Sequence, residues 1–289
     1  MTIQQWLEQT TLRQTKATEL LFHLLNPKTT LDGVSFVSAH QHDELSSSHI
    51  TTLNRWQNRL HQGEPLQYIL GYTIFRDLKL KVDHRTLIPR QETEELVELV
   101  IQELSTIYKL KPNTYNLTLA DIGTGCGAIA LSLATWATKT NKDIHIIATD
   151  LSQDALDLAA HNYLALKPNT YNLPPISFRL GSLLEPIDER LDIIVANLPY
   201  IPSQEMEKLP KSVRGFEPHL ALDGGNNGLD LIHDLIKQAP KKLSPQGALF
   251  LEIWDEHQLE DFAQYKSDYT IIIQTDQFNR NRFLILTLL

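Results

Sequence analysis

Between Thr2 and His61 the apolar positions recur at helical spacing: Ile3, Trp6 and Leu7, then Leu20, Leu21, Leu24 and Leu25, then Ile50, Leu53, Trp56 and Leu60. Such spacing lines one face of successive amphipathic helices. The breaks at Asn26-Pro27 and Leu31-Asp32-Gly33 read as turns. From Tyr72 to Val82 the period changes to two, with Leu78, Leu80 and Val82 on one face and Lys79 and Lys81 on the other, which predicts a β-hairpin. From Glu92 onward helix and strand patterns alternate. Helices are predicted from Glu92 through Ile101 and over 128–138, 155–166 and 229–239, strands over 117–122, 144–149, 176–180, 191–196 and 248–253. This alternation builds a mostly parallel sheet covered on both faces, so the fold class is α/β. The expected division is a helical domain over 1–70, a hairpin linker over 71–86 and the sheet domain over 87–289. Sites in such sheets lie at the carboxyl ends of the strands.

The length of 289 residues suits one large α/β domain with a small satellite. Hydrophobic residues at 42% and charged residues at 21% are ordinary globular usage, which excludes disorder and coiled coils. A net charge of −9 argues against a protein that coats nucleic-acid phosphates, and leaves basic protein partners open. The single cysteine, Cys126, excludes a disulfide framework within the chain and an all-cysteine metal site. A reducing cytoplasm is the expected setting. The first residues lack a basic segment followed by an apolar one, and no apolar run reaches the ~18 residues that span a bilayer, so a soluble, unprocessed chain is expected. His40, His42 and His49 lack the accompanying ligands of a metal site, and none is expected. The octapeptide Leu110–Leu117 returns at Leu166–Leu173, each copy where a helix gives way to a strand. Nothing around the copies matches, so a surface-loop expansion is the reading.

The segment Ala120-Asp121-Ile122-Gly123-Thr124-Gly125-Cys126-Gly127-Ala128 follows a strand and opens a helix. Its glycines permit a tight turn without side chains in a ligand's way, and backbone N–H groups at the helix start are expected to face that ligand. A nucleotide-like cofactor is therefore expected here. The string also satisfies the dinucleotide pattern G-x-G-x-x-A, so NAD competes. Asp150 ends the next strand, roughly 20 residues on, where an acid can accept from both ribose hydroxyls. NAD and S-adenosylmethionine share that ribose, so Asp150 does not choose between them; capping of the following helix is its other use, for which Ser152 competes. Cys126 has no adjacent base and is not expected to act as a nucleophile.

After the strand over 191–196 stands Asn197-Leu198-Pro199-Tyr200. This tetrapeptide resembles the N-P-P-Y motif of S-adenosylmethionine-dependent methyltransferases that modify planar amino or amide nitrogens. The Asn197 side-chain oxygen and the Leu198 carbonyl can each accept one N–H of a target NH₂, fixing its rotation. The Tyr200 ring offers a flat surface. Leucine stands where the motif has proline, but it keeps the carbonyl, and Pro199 restricts Leu198 to an extended backbone.

Further segments narrow the resemblance. Gly63–Gly71 (GEPLQYILG), Leu87–Glu94 (LIPRQETE, with Gln91 in place of a proline) and Phe216–Leu229 (FEPHLALDGGNNGL) are similar to blocks of the HemK-type protein-(glutamine-N5) methyltransferases, which act on peptide chain release factors. The resemblance implies a Rossmann-like, mostly parallel seven-stranded sheet with a small helical substrate-docking domain. It implies S-adenosylmethionine at Gly123, Thr124, Gly125, Cys126, Gly127 and Asp150, with Asn197 also beside it and S-adenosylhomocysteine as product. Its adenine pocket falls near Ser182 and Leu183, where an acid is common in place of Ser182. Arg90 and Glu94 would lie beside the methionine end, although acids also suit a helix start. Asn197, Leu198, Pro199 and Tyr200 would hold the glutamine of the Gly-Gly-Gln motif of a class 1 release factor. Glu94, Glu95 and Glu98 otherwise read as a solvated helix face, and the chain as a monomer without membrane or direct nucleic-acid contacts. The alternatives are an adenine or guanine amine methyltransferase, which the negative charge disfavours, a glutamine methyltransferase of another translation protein, and a nucleotide-binding module or NAD enzyme.

Overall fold

Thr2 and Gln5 form a reciprocal capping box that starts α1 (Ile3–Gln9). α2 (Gln14–Leu25) follows, and α3 (Gly33–Ala39) begins where the Asp32 side chain accepts from the Ser35 N–H. Asp32-Gly33 is thus a helix start rather than a turn, because Asp is a strong N-cap. α4 (Ser47–Gln62) runs from its cap Ser46 to Gly63, and α5 (Leu66–Leu70) ends at Gly71. Ile3, Trp6, Leu20, Leu21, Phe36, Leu53, Trp56 and Ile69 interlock as one buried cluster, each contributing on the order of 1.5–3 kcal/mol by removal from water. The structure, a computed structural model, describes residues 1–25, 32–110, 116–167 and 173–289. The turn at Asn26-Pro27 and most of both octapeptide copies lie outside the described residues.

Met1–Gly71 and Lys211–Phe216 form one compact unit, Tyr72–Pro210 and Glu217–Leu289 the other. In the second, β1 (Tyr72–Phe75) and β2 (Leu78–Lys81) pair as the predicted antiparallel hairpin. It belongs to this unit rather than standing apart as a linker. Then come α6 (Gln91–Leu110), β3 (Leu117–Ile122), α7 (Ala128–Thr140), β4 (Ile144–Asp150), α8 (Gln153–Leu166), β5 (Ile176–Leu180) and β6 (Leu191–Ala196). After the short α9 (Lys211–Arg214), part of the first unit, follow α10 (Asp230–Gln238), β7 (Leu243–Glu252), β8 (Tyr269–Thr275) and β9 (Asn281–Leu288). Asn162 of α8 accepts from the Lys81 N–H at 2.8 Å and donates to the Lys81 carbonyl at 3.0 Å, fixing the hairpin to the sheet layer.

The sheet has seven strands in the order β5-β4-β3-β6-β7-β9-β8. β5 through β7 are parallel; β9 and β8 add antiparallel. The five strands read from periodicity are present, and β8 and β9 complete the seven. α10 covers one sheet face, packing Ile232, Leu235 and Ile236 against Ile122, Ile194, Leu249 and Leu251. α6 packs on β7, and α7 on β3 and β4. Strand order reverses between β3 and β6, the switch point where an α/β sheet opens a crevice at its carboxyl edge.

Candidate active site

A cleft opens at that edge. Gly123, Thr124, Gly125 and Cys126 line it after β3, with Asp150 after β4, Ser182 and Leu183 after β5, and Asn197, Leu198 and Pro199 after β6. Thr86, Pro89, Thr93 and Leu220 also line it. Gly123, Gly125 and Gly127 hold φ of 71°, 57° and 88°, left-handed values that glycine adopts without strain. At Gly127 a β-carbon would also sit 3.1 Å from Leu131 Cδ1 and 3.3 Å from Ala159 Cβ.

The loop amides do not all point outward as the sequence pattern suggests. Gly123 and Thr124 both donate to the Thr149 carbonyl at 2.9 Å, Gly127 to Thr124, and Gly125 to Asp150 Oδ2 at 2.9 Å. In the first turn of α7, Ala130 N–H is taken by buried Asp121 at 3.0 Å. A pyrophosphate needs such N–H groups free, and the Asp121 carboxyl beneath the loop disfavours an anion. The amides of Gly123, Thr124, Gly125, Gly127 and Ala130 are thus committed within the chain, and what the loop presents to a ligand is chiefly the Asp150 carboxylate.

Asp150 has the matching acceptors. Oδ1 takes the Ser152 N–H at 2.9 Å and Oδ2 the Gly125 N–H, which leaves a further lone pair on each oxygen for ligand hydroxyls. Burial raises its pKa, and the amides of Ser152, Gly125 and Leu151 oppose that. The cap of α8 is Ser152, which accepts from Ala155 N–H, so Asp150 is not spent as a cap. Cys126 is buried and its thiol pushed up to about 12 by burial, which removes it as a nucleophile.

Asp121 accepts from the Thr124 hydroxyl at 2.7 Å as well as from Ala130. Burial drives its pKa from 3.8 up to about 7 against those two donors. Over that window the unfolded chain releases a proton that the folded chain keeps, so stability falls as pH rises and levels off above it. Asp121→Asn removes this titration. Its unfolding free energy relative to the parent should improve by roughly 1.4 kcal/mol per pH unit across the window and then plateau. Urea unfolding at a series of pH values checks this, and a flat difference would show that Asp121 does not titrate there.

Asn197 donates through Nδ2 to Thr93 Oγ1 at 2.9 Å. Thr93 donates to Glu252 Oε2 at 2.8 Å, and the Tyr200 hydroxyl donates to Glu252 Oε1 at 2.9 Å. Tyr200 thus faces Glu252 and lies 6.2 Å from the Trp254 ring; it is not part of the cleft lining. Burial and Glu252 hold its hydroxyl well above the ordinary tyrosine range. Arg90 and Glu94 do not line the cleft either. Arg90 pairs with buried Glu217, which also accepts from Ile88 N–H at 3.1 Å. Glu94 accepts from the Arg76 N–H at 2.7 Å at the hairpin turn, and Arg76 reaches Glu98 at 3.2 Å, so part of the acidic face of α6 is occupied within the chain.

Thr93, Glu252 and Glu217 were passed over in the sequence. Thr93 and Glu217 lie in the Leu87–Glu94 and Phe216–Leu229 blocks without a role of their own there, and Glu252 carries a signal as the one charged residue in the run Ala248–Ile253 at the carboxyl end of a strand. The Gly224–Gly228 segment has a physical task as well. A β-carbon at Gly228, φ 73°, would sit 2.1 Å from the Tyr200 carbonyl oxygen, and Gly224 N–H donates to the Ile201 carbonyl at 2.9 Å. These contacts hold the Asn197–Tyr200 segment from behind.

Among known proteins, a release factor glutamine methyltransferase of Lactococcus lactis is 38% identical over 245 residues, covering 84% of this chain and 84% of that relative. One from Streptococcus pneumoniae is 35% identical over 282 residues, 96% of this chain and 94% of the relative. The chain belongs to the release factor glutamine methyltransferase family. Residues 4–71 of this family member match the PrmC N-terminal domain, and residues 99–211 the methyltransferase small domain. The fold is shared more widely, as in the hMettl16 catalytic domain solved with the MAT2A 3'UTR hairpin 6, with a TM-score of 0.53 at 15% identity over 89% of this chain and 93% of that one. Among the described residues no helix is long and apolar enough to cross a membrane.

Proposed function

We propose that this chain transfers a methyl group from S-adenosylmethionine to the side-chain amide nitrogen of the glutamine in the Gly-Gly-Gln motif of class 1 peptide chain release factors, modulating translation termination. Membership of the family supports the reading. The observation that carries it is Asn197, placed in the cleft with its NH₂ bound to Thr93 and its carbonyl end left to accept.

When bound, S-adenosylmethionine supplies an electrophilic methyl group on its sulfonium. Gly123 to Cys126 would form the wall against it, Asp150 would accept from its ribose hydroxyls, and Ser182 and Leu183 would border its adenine. Asn197 Oδ1 and the Leu198 carbonyl each accept one N–H of the target amide, orienting the nitrogen and pushing electron density onto it. The S–CH₃ bond would break as the N–CH₃ bond forms, and the methylated nitrogen would then shed one proton to solvent, so catalysis is orientation and electrostatics with no proton removed before transfer. The Leu198 side chain is buried, its Cδ2 3.2 Å from where a Gly123 β-carbon would stand, so leucine in place of proline fills space under the glycine loop and leaves the carbonyl in service. The helical unit recognises the release factor, and the enzyme works as a cytoplasmic monomer.

The test is incubation with labelled S-adenosylmethionine and purified release factor, or RNA and DNA in parallel, with mass spectrometry of the products. Label on the Gly-Gly-Gln glutamine, lost when that glutamine is replaced, is expected; label on nucleic acid alone would sink the reading. Arg90 and Glu94 are engaged by Glu217 and Arg76 and do not line the cleft, which supports a structural role for them beside the cofactor site. Arg90→Ala leaves the buried Glu217 carboxylate without its cation and should cost about 1–3 kcal/mol of stability, with cofactor affinity nearly unchanged. Calorimetric titration and thermal unfolding check both arms, and a large affinity loss at constant Tm would return Arg90 to the cofactor.

A further inference from the structure

Glu252 is 1% exposed, yet its two carboxylate oxygens are met by hydroxyls and not by a cation: Thr93 on Oε2 and Tyr200 on Oε1. It ends β7, which runs parallel to β6 with Ala196 opposite Leu251, so Glu252 falls beside Asn197, one step beyond the last pair. Thr93, on the first turn of α6 and 3% exposed, bridges them.

Proton polarity in this chain is not free. With Glu252 ionised, its carboxylate only accepts, and the Thr93 and Tyr200 hydroxyls each give it their single proton. Thr93 Oγ1 then has only lone pairs left for Asn197, and Asn197 must meet it with Nδ2–H. An asparagine amide is otherwise close to symmetric, and its two ends are told apart only by their hydrogen-bond partners. The buried carboxylate therefore sets which end of the amide is turned away from Thr93. Burial raises the Glu252 pKa, and the Thr93 and Tyr200 hydroxyls and the Arg282 charge oppose this.

We propose that Glu252, acting through Thr93, is a positioning residue that fixes the amide of Asn197 with its oxygen toward the target nitrogen. This rests on the amide-clamp reading above. A carboxamide or a protonated carboxyl at 252 can donate to Thr93, which would let Thr93 donate to Asn197 Oδ1 and turn the clamp's acceptor inward. Tyr200 serves the same end by tying the tetrapeptide to the other oxygen of Glu252.

The experiment measures kcat on a release factor and the dissociation constant of S-adenosylmethionine for Glu252→Gln, Thr93→Val, Thr93→Ser, the Glu252→Gln/Thr93→Val double variant and Asn197→Ala. Glu252→Gln and Thr93→Val should each lower kcat on the order of 10- to 100-fold with cofactor affinity and Tm held. Thr93→Ser, which keeps the hydroxyl, should recover most of the loss of Thr93→Val. The double variant should be no worse than Thr93→Val, since both cut one chain. An inactive Asn197→Ala beside a fully active Glu252→Gln would overturn the positioning role alone, as would additive losses in the double variant. A fully active Asn197→Ala would overturn the clamp reading itself. Should Glu252→Gln fail to fold, the Thr93→Val and Thr93→Ser pair decides the matter: equal kcat in both overturns the proposal.

Discussion

Asn197→Ala should lower kcat for methyl transfer to release factor on the order of 10²–10³-fold, the loss typical of removing one preorganised electrostatic contact to a reacting group, and should leave the dissociation constant of S-adenosylmethionine within about twofold. The large effect follows from what the residue does. A glutamine amide nitrogen is a weak nucleophile because its lone pair is shared with its carbonyl, and free rotation would present that pair in unproductive directions. Two acceptors on its two N–H bonds hold the plane and raise electron density in the same act. Alanine removes one acceptor and leaves Thr93 with an unfilled lone pair in place of an oriented amide. The Leu198 carbonyl remains, so residual transfer is expected. Single-turnover kinetics at saturating cofactor, beside calorimetric titration, would separate the two quantities. Transfer at the parental rate would mean that the target is held elsewhere.

Asp150→Ala should produce the opposite division. Each ribose hydroxyl bound to an ionised acceptor is worth about 1.5–3 kcal/mol, and losing both, with some relaxation, should weaken cofactor binding by roughly 30- to 1000-fold. The kcat at saturating cofactor should fall far less. Asp150 also receives the Gly125 and Ser152 N–H groups at 2.9 Å each, so part of the loss is the glycine loop relaxing. Asp150→Asn retains one carbonyl acceptor and should fall between the parent and alanine. Unchanged affinity in the alanine variant would remove the ribose assignment.

Much of this was legible in the chain. Period-two and period-3.6 patterns place β1 to β7, because the sheet strands buried on both faces are short runs of Leu, Ile, Val and Ala with turns at their ends. The residues at the strand ends, Gly123 to Cys126, Asp150 and Asn197 to Pro199, line one cleft, since parallel strands bring all their carboxyl ends to one edge; Gly127 instead packs toward Leu131 and Ala159. Three things were not legible. Tyr200 follows Pro199 directly, yet its hydroxyl is committed to a carboxylate 52 residues away; spacing gives no hint of a partner across the sheet. The family resemblance implies Arg90 and Glu94 beside the methionine end of the cofactor, and nothing in their spacing shows that Glu217 and Arg76 engage them. The loop amides read as ligand-facing, although the Thr149 carbonyl takes two of them. In each case a local pattern reports a residue's type, and a long-range contact decides what that residue has left to give.

The strand order bears on how the enzyme comes into being. β9 lies between β7 and β8 and pairs with both, with Phe283 opposite Glu252. β8 therefore precedes in the chain the strand that joins it to the sheet, and β7 gains its second neighbour only from residues 281–288. Until that last insertion Glu252 has no β9 neighbour to exclude water from it. The strands that carry Gly123, Asp150 and Asn197 belong to the parallel half of the sheet, whereas the cover over Glu252 comes from β9, which pairs with the far edge of β7.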